Sequence, residues 1–145
     1  MKNQNPVEFR LVHIATEEFA KFEENYKENA EINEKFSLGF NIDEEARLVL
    51  WQFEILSDIN KNILFKGKFN FSFEISENSW KNLKNKSEMV FPKNLLNHFA
   101  MLAVGTIRGI LFEKLNQTQS KLSNYILPLI NISEVIDEDV NVPLK

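Results

Sequence analysis

His13 and His98 are the only side chains in this sequence whose ordinary pKa lies near neutrality, so a search for acid–base or metal chemistry starts with them. The two stand far apart in the chain, and a histidine pair at metal-ligand spacing is absent. There is no cysteine, which excludes disulfides and thiolate metal sites. The adjacent carboxylates Glu17/Glu18, Glu23/Glu24 and Glu44/Glu45 resemble acid–base pairs on paper. Neighbours on a strand point to opposite faces, so adjacency alone does not bring them to one site. A glycosidase-like pair assembled from distant segments stays open. The four glycines stand alone and form no phosphate loop, and no G-x-S-x-G elbow occurs. The expectation is a protein that is not an enzyme and uses no cofactor and no metal.

What remains is apolar surface. The chain has 13 Phe against 2 Tyr and 2 Trp. Phenylalanine brings apolar area without a polar handle. So many in a small domain mean either a generous core or a working apolar surface. Phe112, Leu115, Leu122, Tyr125, Ile126, Leu127, Leu129 and Ile130 flank a polar stretch late in the chain. They read as one wall of a groove against the aromatic edge of a sheet, with Trp51, Phe65, Phe69 and Phe71 opposite. Completion of the core is the equal alternative.

The charge balance narrows the partners. Net charge is −4 and the pI about 5.3, with no basic footprint for nucleic acid. The opening residues lack the apolar core of a signal peptide. The longest nearly uncharged stretch, Leu95 to Ile107, is short for a bilayer span. A cytoplasmic protein without membrane insertion is expected.

The elements that must position these residues follow from hydrophobic period. At 145 residues the chain fits one domain, with residues 1–6 and 137–145 read as loose tails. In a first strand from Val7, Phe9, Leu11 and His13 alternate with Arg10, Val12 and Ile14, and Glu17–Phe22 extends it past a bulge or kink. Residues 23–31 read as a loop. Phe36, Leu38, Phe40 and Ile42 make a second strand, and Val49, Trp51, Phe53 and Ile55 a third. The fourth is the most strongly patterned. Phe65, Gly67, Phe69, Phe71, Phe73 and Ile75 alternate with Lys66, Lys68, Asn70, Ser72 and Glu74. At 3.6 residues per turn a helix would smear such a pattern around its axis. Short connections make the last three strands an antiparallel meander.

A helical turn capped by Asn78 or Ser79 follows. Phe91-Pro92 then opens a long helix, with Pro92 where its missing N–H costs nothing, running to about Arg108 or as far as Leu115. Its apolar residues cover more than the ~100° of arc that one sheet needs. The small residues Ala100, Ala103, Gly105 and Gly109 would let a second backbone approach. The helix is therefore expected between its own sheet and another subunit, with Phe99, Ala103, Ile107 and Ile110 at that interface. The fold class is α+β: a four-stranded antiparallel sheet, one long helix and a short C-terminal turn that Ser133 would cap.

This order of elements carries a resemblance. The sheet, Phe91-Pro92 opening the helix, Arg108-Gly109 near its end and Leu127-Pro128-Leu129-Ile130-Asn131-Ile132 before the last turn are similar to the SecB-type protein-export chaperones. The resemblance spans residues 7–136. It implies an ATP-independent holdase that keeps unfolded or export-destined polypeptides in apolar grooves. It also implies an eight-stranded sheet per dimer and a homotetramer built as a dimer of dimers. The family's acidic sheet surface meets the translocation ATPase SecA, and Glu18 and Glu23 are the residues that would stand for it here. Lys66 and Lys68 depart from that surface, so service to a toxin–antitoxin system or another client stays open. The rival reading is a small-ligand-binding or structural oligomer on the same fold.

Overall fold

The structure is a computed structural model that describes residues 6–116, 120–123, 125 and 136–144. Strands β1 (Phe9–Lys21), β2 (Asn33–Asp43), β3 (Leu48–Ile59) and β4 (Asn62–Ile75) form one sheet in the order β1-β4-β3-β2. All neighbours are antiparallel. The β2-β3-β4 meander predicted from the short turns is present. The tightest turn is Asn60-Lys61, where both residues take positive φ (50° and 71°), as a two-residue hairpin that follows the strand twist requires. Asp58 Oδ1 accepts from the Lys61 N–H at 3.2 Å and closes it.

One face of this sheet is the core. Val49, Trp51, Phe53 and Ile55 of β3 lie beside Phe69, Phe71, Phe73 and Ile75 of β4, all buried. Seven of the 13 phenylalanines are fully buried, and each contributes about 1.5–3 kcal/mol relative to exposure. The other face carries Lys66, Lys68, Asn70 and Glu74, which leaves the clean alternation of a half-covered antiparallel sheet.

Strand β1 departs from simple alternation. Its register with β4 shifts between Leu11 and His13 and again between Thr16 and Glu18. Each shift inserts one residue and inverts the faces that follow. Phe9 and Leu11 lie opposite Ile75 and Phe73 on the core side. Beyond the first bulge Ile14 takes the core side opposite Phe71, and His13 moves to the polar face opposite Ser72. The expected grouping of His13 with Phe9 and Leu11 is thereby corrected. The second bulge restores odd residues to the core side, so Phe19 lies opposite Gly67.

Helix α1 (Glu77–Leu83) is capped by a residue that precedes both expected caps, Asn78 and Ser79. Ser76 is the N-cap and accepts from the Ser79 N–H at 3.3 Å, while the Ser79 hydroxyl accepts from the Glu8 N–H at 2.9 Å. Helix α2 (Lys93–Leu115) runs the full 23 residues, roughly 35 Å at ~1.5 Å per residue. Pro92 is its N-cap instead of its first helical residue. The helix is long and apolar enough to cross a bilayer by length and composition, which Leu95–Ile107 alone did not suggest. Here one side of it packs on the sheet. Phe99 stacks on Phe73 at 4.4 Å and meets Phe9 edge-on at 4.7 Å. Near the other end, Lys114 sits over the Phe19 ring at 5.5 Å.

A second, small sheet was not expected. Strands β5 (Lys84–Asn85), β6 (Glu88–Phe91) and β7 (Val140–Pro143) pair in that order. Val140–Pro143 therefore corrects the reading of residues 137–145 as a loose tail. The short C-terminal turn ending at Ile136 and its cap Ser133 lie mostly outside the described residues.

Candidate functional site

The residues expected to wall a groove separate into two groups. Trp51, Phe65, Phe69 and Phe71 are at most 4 % exposed and belong to the core. Leu122 is buried too, and Tyr125 is half-buried with its ring edge-on to Phe65 at 5.0 Å. These residues are brought together as expected, but as packing, so they form no open wall. They belong to one buried cluster with residues of α2, and alternation alone could not show how completely they are covered. Among the described residues of this set, Phe112 alone stays substantially exposed, at 45 %. Ile126 and Leu127 lie outside the described residues.

The expected interface residues are also corrected. Phe99, Ala103 and Ile107 are fully buried against their own sheet, and Ile110 is half-buried. The small-residue line divides between two sides of the helix: Ala100 and Ala103 face the sheet, whereas Gly105 and Gly109 face outward. A Cβ built on either glycine meets nothing within 4 Å. Met101, Leu102 and Phe112 are exposed on the same helix.

Glu18 and Glu23 are engaged within the chain. Glu18 pairs with Lys66 at 2.9 Å, and that hydrogen bond with its charge holds the carboxyl below its usual range. Glu23 accepts from the Ser120 hydroxyl and lies 3.4 Å from Lys21, which together lower it against the opposing effect of desolvation. With Lys68 and Glu54 also paired at 3.3 Å, the polar face is a mosaic of both signs and not an acidic patch.

That polar face bears two shallow hollows. One, of about 460 Å³, is lined by His13, Asn41, Gln52, Asn70 and Ser72. At its side the Gln52 and Asn70 amides both donate to Glu17 Oε2 at 2.9 Å, and Gln52 also donates to Asn70 Oδ1 at 3.2 Å. The other, of about 310 Å³, lies among Glu18, Lys35, Glu54, Lys66 and Lys68. Among the described residues no group of three or more His, Asp or Glu is placed to hold a metal ion.

The feature that residue patterns missed is the β2 edge. This strand ends the sheet, and its outer backbone has no partner strand among the described residues. Its register with β3 runs through 11 residues without a shift. On the core side Phe36, Leu38, Phe40 and Ile42 are only half-buried. Phe36 meets Phe53 edge-on at 5.9 Å, and Phe40 lies 5.2 Å from Trp51 and 5.3 Å from Phe91. The result is a straight, unbulged edge with an apolar ridge beside it. Natural edges are usually blunted by bulges, proline or charge. Strand β1 carries two bulges; β2 has no bulge and no proline, and its charges lie near its ends, Glu34 and Lys35 at the start and Asp43 at the last residue, leaving Phe36–Ile42 uncharged. Such an edge offers backbone hydrogen bonds and alternate side-chain contacts to an extended chain. The alternation of Phe36 to Ile42 was readable, but which strand ends the sheet is a property of topology.

At the start of β2, Glu34 lies beside Tyr125. Burial raises the Glu34 carboxyl above its ordinary 4.5, partly offset by the phenol. The phenol, buried without hydrogen-bond geometry to a partner, is pushed above its usual range by burial first and the carboxylate second. A carboxyl raised in the folded state binds more protons there than when unfolded, so its contribution falls as pH rises through the folded value. Glu34→Gln is expected to raise stability at neutral pH and to flatten the decline above pH 4.5, as read from urea midpoints between pH 4 and 7.

Compared with known proteins, no family model, curated protein or solved structure matches this chain. What the structure defines is a class: an α+β protein with a four-stranded antiparallel sheet, one long helix against its inner face, and a polar outer face.

Proposed function

We propose that this protein is an ATP-independent holdase that binds unfolded polypeptide in the cytoplasm. The observation that carries the reading is the open β2 edge with its half-buried ridge Phe36, Leu38, Phe40 and Ile42. An extended client would add to that edge through its backbone and seat alternate apolar side chains on the ridge. Backbone pairing is indifferent to sequence and burial is non-directional, so many clients would be accepted. The order of elements shared with the SecB-type chaperones supports the same reading, and the burial of the core aromatics moves the proposed surface from Phe65, Phe69 and Phe71 to β2.

The proposed assembly is a homotetramer, a dimer of dimers. Two apolar surfaces favour association. Leu11, Val12 and Ile14 on edge strand β1 are 37–44 % exposed, and the outward side of α2 exposes Met101 at 63 % beside Leu102 and Phe112. Docking on SecA is not favoured by the neutralised mosaic around Glu18 and Glu23.

Light scattering of a thermally aggregating client tests the function. Suppression at stoichiometric tetramer, without nucleotide, is expected; unchanged aggregation at several-fold excess would refute it. The second reading, a small-ligand-binding or structural oligomer, is favoured by the closed core and the amide-lined hollow near Gln52 and Asn70. It predicts no suppression.

A further inference from the structure

Strand β7 is held as a bound peptide would be. Its register with β6 is antiparallel, Phe91 opposite Val140, Val90 opposite Asn141, Met89 opposite Val142 and Glu88 opposite Pro143. The Leu144 N–H donates to the Ser87 carbonyl at 2.8 Å and extends the pairing by one residue. Val140, Val142 and Leu144 pack against the core at alternate positions, while Asn141 and Pro143 fall between them. One further contact fixes the segment at its start. Asp139 Oδ1 accepts from the Lys93 N–H at 2.8 Å, supplying the cap that Pro92 leaves unfilled at the N-terminus of α2.

The hold is short. β7 has four residues, each alternate one exposed, and Pro143 contributes no N–H. Segments with few buried contacts at a sheet edge open at free energies well below global unfolding. What β7 flanks is fully buried and apolar: Met89 and Phe91. Phe91 in turn touches Phe40 on the β2 ridge at 5.3 Å.

We propose that β7 is a displaceable strap occupying a second site for extended apolar polypeptide, and that its release joins the β6 edge to the β2 ridge as one larger binding surface. The occupant the site fits is a strand with apolar residues at alternate positions, as Val140, Val142 and Leu144 are spaced. This regulation rests on the holdase reading, but the site itself can be tested without a client.

The test uses three full-length forms and a labelled peptide of residues 138–144 as probe. Asp139→Ala with Val142→Asp loosens the strap. Val90→Cys with Asn141→Cys, at directly paired positions in a chain without other cysteines, locks it on oxidation and frees it on reduction. Fluorescence anisotropy should show the probe binding the loosened form at least tenfold more tightly than the wild type. The oxidised form should not bind it, and reduction should restore wild-type affinity. Equal affinity for the oxidised and reduced forms, or no gain in a loosened form that melts cooperatively, would overturn the strap. Aggregation assays on the same forms should rank loosened above wild type above oxidised. Probe exchange without that ranking would overturn the joining of the two surfaces. Probe exchange with no client held by any form would sustain the strap and strike the holdase reading instead.

Discussion

Phe69→Ala should cost about 3–5 kcal/mol of unfolding free energy, the range for emptying a fully buried phenylalanine site. Phe69 is 0 % exposed. It lies over Gly67, where a built Cβ would approach its ring to 2.7 Å, and its Cα partners are Phe53 on β3 and Thr16 on β1. The rigid sheet beneath Gly67 leaves the cavity little to collapse onto. Against a typical total of 5–15 kcal/mol, the loss is a large share of stability and would lower the melting temperature by roughly 10 °C or more. The experiment also separates two meanings of the aromatic face. A groove wall truncated to alanine would leave stability nearly unchanged and weaken client binding; a core residue does the reverse. A loss under 1 kcal/mol by urea denaturation would contradict the placement of Phe69 in the core.

The second large effect concerns assembly. Gly105→Leu together with Gly109→Leu should leave the subunit folded, because a Cβ at either position meets nothing within 4 Å. Within a helix interior each replacement should favour the helix by up to about 1 kcal/mol, since glycine is the poorer former. The proposed tetramer should nevertheless fall to a smaller species. Two residues four apart on the outward side, without side chains, are where a second helix backbone could approach closely, and leucines there would hold it off. Light scattering coupled to size exclusion gives the mass directly. A tetramer of unchanged mass would move the interface elsewhere, with the exposed β1 residues Leu11, Val12 and Ile14 the next place to look.

These two predictions rest on different depths of inference, and the difference tracks what a sequence can carry. The Phe65–Ile75 alternation was fully legible, because a period of two across a strand reports directly which face is apolar. The extent of α2 was legible as an upper bound through Leu115. The bulges in β1 were only partly so. Val12 and Glu17 break the period by one residue each, and nothing in their chemistry distinguishes an inserted residue from a slipped pattern. Val140–Pro143 was lost behind the acidic run Asp137–Asp139. It depends on a partner some fifty residues away, and a four-residue strand has almost no local signature. Asp139 itself read as tail charge, although it caps a helix that begins at Lys93.

The candidate site was the least legible part for a related reason. Exposure of an edge is set by which strand ends the sheet, and a chain of alternating strands is the same string in several topologies. The residues chosen from their aromatic character are core, fully enclosed in the cluster that includes α2, whereas the half-buried ones on β2 carry a similar pattern and lie at the boundary. Reading hydrophobic excess on α2 as a sign of a second partner surface picked Phe99, Ala103 and Ile107, but these are its inward side, and the outward side is Met101, Leu102, Gly105 and Gly109.

The central claim is that extended polypeptide adds to the β2 edge. Amide hydrogen exchange across Phe36–Ile42, with and without an equimolar, permanently unfolded client, tests it most directly. The prediction is that client slows exchange of the outward-pointing amides of this segment, those not paired with β3, at least several-fold while Phe69–Phe73, already paired on both sides, stays unchanged. Client bound tightly with no added protection on β2 would contradict it.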